Sequence, residues 1–382
     1  LGPLRAGCPG NNLKDRSAGL VVRYNWIEGG NRQLDLVDAE DSSSLRNSPS
    51  YRATHVYGNV LLEPNADGNK QIVHYGGDSG NLVNYRKGTL HFYNNTVVSR
   101  RPDQTTLFRL STNDEFADVR NNIFYVTNSG NSLALSDSVG QFHLAHNWLK
   151  PNWRNSFSTF SGSLTNGGSN VQTSAPGFRD EANNDFRLLK TSVCVNAGGA
   201  LPAALLPAHA ITAQYVRHQS SEPRNQDGPL DLGAFEFNTP LQQWRHEMFG
   251  TNASVASISG NNADPDGDGM INLLEFAFQQ DPLAPASTGS PQMKTVVTNG
   301  VTIPALQFTK RPAPHGLVYL VQTSSNLVHW MDGCRYSDVT TVLNAGNTID
   351  ISPVDATNRI IHLNTPASEN VFLRVLISED PS

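Results

Sequence analysis

Asparagine returns at one fixed place in five copies of a short pattern, and that repeat limits what this chain can fold into more than any other feature. The copies are Leu20-x-Val22-x-x-Asn25-x-Ile27, Thr54-x-Val56-x-x-Asn59-x-Leu61, Leu90-x-Phe92-x-x-Asn95-x-Val97, Ala117-x-Val119-x-x-Asn122-x-Phe124 and Phe142-x-Leu144-x-x-Asn147-x-Leu149. Each alternates with period two up to the Asn, as a short strand turning a corner requires. The Asn-to-Asn steps are 34, 36, 27 and 25 residues. Such spacing suits a repeat unit of roughly 22 to 27 residues carrying loops of varied length. One unit cannot bury its own apolar face, so the reading is a β-solenoid: strands stack in parallel on the next coil and apolar positions form internal ladders. Asn suits the corner because it tolerates left-handed backbone and its amide can bond to the Asn above and below. A β-sandwich with regularly spaced turns is the competing reading.

Composition agrees with an all-β chain. Of 382 residues only 16% are charged, and the 38 Asn outnumber the 28 Lys plus Arg. With 31 Gly and 22 Pro spread along the sequence, long helices and coiled coils are disfavoured. A net charge of −6 supplies no basic field, so no nucleic-acid partner is expected. No apolar run reaches the roughly eighteen residues of a membrane span. The chain begins Leu1-Gly2-Pro3 without Met, and coils are expected to be missing at its N-terminal side. Cys8, Cys194 and Cys334 are odd in number and far apart, which fits buried apolar residues better than a disulfide framework or a zinc site.

A further strand follows each Asn: Gln33-Leu34-Asp35-Leu36, Ile72-Val73-His74-Tyr75, Leu107-Phe108-Arg109-Leu110 and Leu133-Ala134-Leu135. If Leu34, Val73 and Phe108 point inward, Asp35, His74 and Arg109 point outward on successive coils. Leu13-Lys14-Asp15 fits the same slot one coil earlier, giving an outward column of Lys14, Asp35, His74 and Arg109 with about 4.8 Å between neighbours.

With these repeats the sequence resembles the right-handed parallel β-helix proteins of the pectate-lyase-like superfamily, over about residues 10 to 238. The runs Ser174-Ala175-Pro176-Gly177-Phe178, Asp185-Phe186-Arg187-Leu188, Val195-Asn196-Ala197-Gly198, Glu222-Pro223-Arg224 and Leu230-Asp231-Leu232-Gly233-Ala234-Phe235-Glu236 look like the closing segment of secreted bacterial β-helix proteins. Asn12-Leu13-Lys14-Asp15-Arg16-Ser17, followed by Leu34-Asp35-Leu36-Val37-Asp38, is loosely similar to the alginate-lyase and chondroitinase-B-like family. There a Lys acts as base and an Arg on the next coil assists. Lys14 matches that Lys, but Val37 and Asp38 stand where the motif has Arg and His.

The resemblance implies a secreted polysaccharide lyase. β-Elimination on a uronic-acid polymer needs its carboxylate neutralised, its C5 proton abstracted and its leaving oxygen protonated. The catalytic candidates are Lys14, Asp35, His74 and Arg109. Arg16, Arg32 and Arg86 suit an anionic glycan, Tyr75 offers ring stacking, and Asp38 belongs to an acidic group with Asp35, Glu40 and Asp41. That group could hold Ca²⁺ that bridges substrate carboxylates, or hydrolyse glycosides through paired carboxylates. Against these stands the plain reading of outward charges as a solvated face, and of His55, His91, His143 and His146 as structural. The rival functions are a noncatalytic extracellular glycan-binding or adhesion protein and, third, a glycoside hydrolase.

After Glu236 the pattern changes. Thr239-Pro240 opens a helix with Leu241, Trp244, Met248 and Phe249 on one face. Then Asp264-Pro265-Asp266-Gly267-Asp268-Gly269-Met270-Ile271-Asn272-Leu273-Leu274-Glu275 fills a twelve-position EF-hand loop. Asp264, Asp266 and Asp268 supply carboxylates, Met270 a main-chain carbonyl, Asn272 the ninth position and Glu275 two oxygens, so calcium is the expected metal. The segment is similar to EF-hand and dockerin loops of secreted bacterial proteins; a single loop argues against a cohesin partner. The last ninety or so residues read as strands near 294–297, 302–308, 318–323, 341–351, 360–363 and 371–377, similar to a β-sandwich tail on exported proteins of Verrucomicrobia-like bacteria. The expected organisation is a β-helix over 1–238, a helix-loop-helix calcium segment over 239–283 and a β-sandwich over 284–382, outside the cell or on its surface.

Overall fold

Alternating stretches of three to six residues are too short to be stable alone and pair instead with their counterparts in the next copy of the repeat. The structure, a computed structural model, describes residues 10–65, 68–226, 228–285, 291–353, 357–364 and 371–380. It contains three parallel sheets built in rotation. Sheet A takes Leu13–Asp15, Leu34–Leu36, Gln71–Tyr75, Thr105–Leu110 and Leu133–Ser136. Sheet B takes Val21–Arg23, Ala53–Tyr57, Thr89–Tyr93, Phe116–Arg120, Gln141–Ala145 and Ser163–Gly168. Sheet C takes Trp26–Glu28, Val60–Glu63, Thr96–Ser99, Ile123–Val126 and Trp148–Leu149. The chain visits A, B and C in turn and then returns to A one strand further along, an arrangement consistent with a parallel β-helix.

Registers carry the apolar ladders. Leu34, Val73 and Phe108 align across sheet A, and Val56, Phe92, Val119 and Leu144 across sheet B. All are buried in one internal cluster with Leu61, Val97 and Phe124 of sheet C. Each such side chain contributes about 1.5–3 kcal/mol when withdrawn from water.

Between sheets B and C the expected Asn ladder is present and has six members, not five. Nδ2 of Asn25, Asn59, Asn95, Asn122 and Asn147 each donates to Oδ1 of the next, ending on Asn170, over 2.9–3.1 Å. Each receiving Oδ1 also accepts the main-chain N–H of the Asn before it, as in Asn59 N to Asn95 Oδ1 at 3.1 Å. The left-handed conformation lies one position earlier than expected, at Tyr24, Gly58, Asn94, Asn121, His146 and Ser169. Asn therefore holds the corner through its amide and not through its backbone angle.

The segment after Asn170 folds back over the outer faces of sheets B and C. Phe186 stacks on Trp26, Leu205 packs against the stacked rings of Tyr57 and Tyr93, and Tyr93 donates its hydroxyl to the His209 carbonyl at 2.6 Å. Arg224, wholly buried, reaches Glu236 at 2.9 Å and the carbonyls of Gly233 and Asp231 at 3.0 and 3.1 Å. That network accounts for the closing run Glu222-Pro223-Arg224 and Leu230 to Glu236. Cys194 is buried and free as expected; Cys8 lies outside the described residues.

The chain divides into two compact units, 1–237 and 238–382, where three segments were expected. Helix Pro240–Phe249 starts with a Thr239/Gln242 capping box, and helix Asn272–Phe278 follows the acidic loop. Leu241, Trp244, Phe276 and Phe278 from these helices share one core with Phe308, Tyr319 and Tyr336 of two antiparallel sheets. Met331–Tyr336 is a strand the sequence pattern missed, because Asp332 and Gly333 break its apolar alternation.

Replacing Asn95 by Ala should cost about 3 kcal/mol in urea unfolding, since it strips buried main-chain groups on two passes of their partners. Asn25→Ala, at the partly exposed end of the ladder, should cost under about 1 kcal/mol.

Candidate functional site

Period two and the corner spacing together place Lys14, Asp35, His74 and Arg109 side by side on the outer face of sheet A. They are not equally open. Asp35 and His74 are each 2% exposed, whereas the Lys14 side chain is 40% exposed. The loop from Gly76 to Tyr85 runs beside them, bonding through Gly77 to Ser111, the partner of His74, and through Asp78 to Lys14. Asp38 holds that loop: its carboxylate accepts the N–H of Asp78 at 2.8 Å and the Ser79 hydroxyl. Tyr51 adds a hydrogen bond from its hydroxyl to the Asn84 carbonyl at 2.9 Å.

Asp78, carried by this loop, enters the column. Its carboxylate bridges Lys14 Nζ at 2.5 Å and Arg16 Nη2 at 3.0 Å. Lys14 also lies 3.2 Å from Asp35, and Arg16 lies 3.4 Å from Glu40. Burial works against the charge on Lys14, but Asp78 and Asp35 outweigh it and hold the ammonium above the ordinary lysine value. A lysine base needs the opposite shift. In this setting the carboxylates of Asp78 and Asp35 favour the ammonium form of Lys14. Burial likewise opposes the Asp35 charge, yet the His74 hydrogen bond and Lys14 hold that carboxyl below the usual aspartate range.

A chain of short hydrogen bonds runs on from Asp35. His74 Nδ1 is 2.7 Å from Asp35 Oδ1, and His74 Nε2 is 3.0 Å from Ser111 Oγ. The second carboxylate oxygen of Asp35 takes the Asn11 amide at 2.6 Å. Ser111 was missed in the sequence because it lies one residue past the strand end, two positions beyond the slot of the column.

Three of the residues assigned to substrate contact do not reach the surface, and the assignment is corrected for them. Tyr75 is in phase with Val73 and joins the internal cluster, as period two itself demands. Arg86 is fully buried against the Tyr51 ring, donating to the carbonyls of Val37, Ser17 and Asp15 at 2.9, 2.9 and 3.2 Å. Asp38 is fully buried and occupied by the loop. Arg32 is 9% exposed and bonded to Gln71 at 2.9 Å, and Arg109 is half-buried beside it. Arg16 alone of the five is substantially open, with 35% of its side chain exposed.

Sheet B presents a second titratable column, His55, His91, Asp118 and His143, each four residues before a ladder Asn. That shared offset was in the sequence, but each His was read singly. His143 Nδ1 lies 3.0 Å from Asp118, which Arg120 also pairs at 2.6 Å. His55 is stacked between His91 at 5.0 Å and His209 at 3.6 Å, ring to ring, with the Arg23 charge acting on His209.

In the second unit Asp264, Asp266 and Asp268 bring carboxylate oxygens within 4.8 Å of one another, and such a triad could hold a metal ion. Glu275 is fully buried and neither of its oxygens has a partner. Burial, then the charges of Asp266, Asp268, Asp264 and Asp281, push its carboxyl up to about 7. The Asn272 amide donates to the Ile258 and Gly260 carbonyls at 2.8 and 2.9 Å, leaving its own oxygen unpartnered. Gly269 at the sharp turn has φ +91°. The donor set fits a hard cation.

No protein-family model, no curated protein and no solved structure matches this chain. No helix among the described residues is long and apolar enough to cross a membrane.

Burial, followed by His209 and His91, pushes His55 down to about 4 from 6.5. A depressed His contributes stability above its unfolded value and loses it as pH falls through the folded one. Urea midpoints should therefore decline between pH 6.5 and about 4, and His55→Gln should flatten that decline.

Proposed function

We propose that this chain is an extracellular, carbohydrate-active protein built on a right-handed parallel β-helix, cleaving an acidic polysaccharide by β-elimination on sheet A. The observation that carries the reading is the clamp of Lys14 and Arg16 on the Asp78 carboxylate. Two cations that grip an internal carboxylate on an outer face can grip a uronate in the same way. With Lys14 favoured as the ammonium form, His74 is the proton acceptor, oriented by Asp35. Arg109, one strand further along, adds positive charge beside it. Incubation with a panel of uronic-acid polymers should raise the ultraviolet absorbance of unsaturated ends, and His74→Ala should abolish that rise. No rise with any polymer overturns the lyase reading.

A noncatalytic glycan-binding surface is the second reading, supported by the near-complete burial of Asp35 and His74. It predicts retained polymer binding with no cleavage. Nothing favours hydrolysis through Asp35 and Asp38, because the loop consumes Asp38.

In the same reading Ca²⁺ occupies the acidic loop, held by Asp264, Asp266, Asp268, the Met270 carbonyl, Asn272 and Glu275. The buried, unpartnered Glu275 carboxylate supports it. Calcium at a hundred times its Kd should stabilise this unit by about 2.7 kcal/mol. Calorimetric titration should show one site, and Glu275→Gln should weaken it at least tenfold while raising the melting temperature of the calcium-free protein. Equal calcium affinity in the variant would remove Glu275 from the ligand set.

A further inference from the structure

The hydrogen-bond chain on sheet A runs past the Asp35–His74 pair to Ser111, a hydroxyl that elimination does not use. We propose that Asp35, His74 and Ser111 form a serine-hydrolase triad, with Ser111 as nucleophile, and that the protein hydrolyses carboxylic esters. The distances, 2.7 Å from Asp35 Oδ1 to His74 Nδ1 and 3.0 Å from His74 Nε2 to Ser111 Oγ, are those the roles require. The burial gradient matches as well. Asp35 and His74 are 2% exposed, and Ser111 is only partly buried. Asp35 stays ionised, its other oxygen satisfied by Asn11, so Oδ1 is left to fix the imidazole tautomer.

Around Ser111 the backbone comes unusually close. Gly77 N–H donates to Ser111 Oγ at 3.0 Å, and the Ser111 hydroxyl donates to the Gly77 carbonyl at 3.0 Å, so its hydrogen must swing from that carbonyl to His74 Nε2, also 3.0 Å away, before it is transferred. A Cβ at Gly76, whose φ is +133°, would sit 2.5 Å from Ser111 Oγ, and one at Gly77 would sit 2.1 Å from the Tyr85 ring. Gly-Gly at these positions lets main chain reach the hydroxyl. The Gly77 N–H thus donates to the nucleophile's own oxygen and fixes the Ser111 side chain beside His74.

The reaction balances without a cofactor. Ser111 Oγ attacks the acyl carbon and its proton passes to His74 Nε2. The ester C–O bond breaks as His74 returns that proton to the departing alcohol oxygen. Water then attacks the acyl-serine, gives a proton to His74, and releases the carboxylic acid as Ser111 recovers its hydrogen. The inference rests on the function proposed above only for what carries the ester, an O-acyl group on a glycan; the serine chemistry stands without it.

The test uses the intact chain with p-nitrophenyl acetate and a fluorophosphonate reagent. Peptide mass mapping should find one adduct, on Ser111, in the unaltered protein. Ser111→Ala should abolish the adduct and lower ester turnover by about 10³-fold or more. His74→Ala and Asp35→Asn should each suppress labelling of a serine that is still present. A Ser111 that merely pins the loop gives no adduct, and that result overturns the proposal, as does undiminished turnover in Ser111→Ala. Unsaturated ends from uronate polymers are scored separately. Ester hydrolysis without them sinks the lyase reading alone, and elimination without a Ser111 adduct sinks the triad alone.

Discussion

The amide-to-amide ladder from Asn25 to Asn170 is the constraint on which the first unit depends. Stacked corners bury their main-chain N–H and C=O groups from water, and each unsatisfied group costs about 1–3 kcal/mol. A side chain that is both donor and acceptor, repeated at one height, satisfies them on every pass. Once the corners are fixed, the two strands that flank them are in register, and every side chain on sheets B and C has an assigned face.

Function in such a fold is written in columns. Lys14, Asp35 and His74 become neighbours only because three passes share a register. Sheet B does the same with His55, His91, Asp118 and His143. In both cases loops or the returning segment cover part of the column and change what the charges can do. Asp78 and Asp35 favour the ammonium form of Lys14, and burial, with His209 stacked on the ring, pushes His55 down.

Much of this was legible in the sequence and some was not, for identifiable reasons. The Asn spacing and the period-two phase located the sheets, the ladder and the outward slots of Lys14, Asp35, His74 and Arg109. The same phase placed Tyr75 inside, and the misassignment came from weighing its ring chemistry above its parity. Arg86 and Asp38 could not be judged from pattern, because their burial depends on a loop fold set by Tyr51 and Ser79. Ser111 lies off the repeat, where only coordinates reveal contact. Glu275 was readable because its position in the acidic loop is fixed by local spacing. That Phe276 and Phe278 share a core with the antiparallel sheets was not, since it depends on packing between distant segments.

The Asp78 bridge also sets the terms on which any outside carboxylate could be held. A newcomer at Lys14 and Arg16 takes the place of a partner already there, so the number of ion pairs on the face stays constant through the exchange. Ionic strength then weakens the outgoing pair and the incoming pair alike. Any discrimination between carboxylates at this face would then fall to shape and to the freedom regained by residues 76–85, so that it would compare carboxylates and not merely collect them.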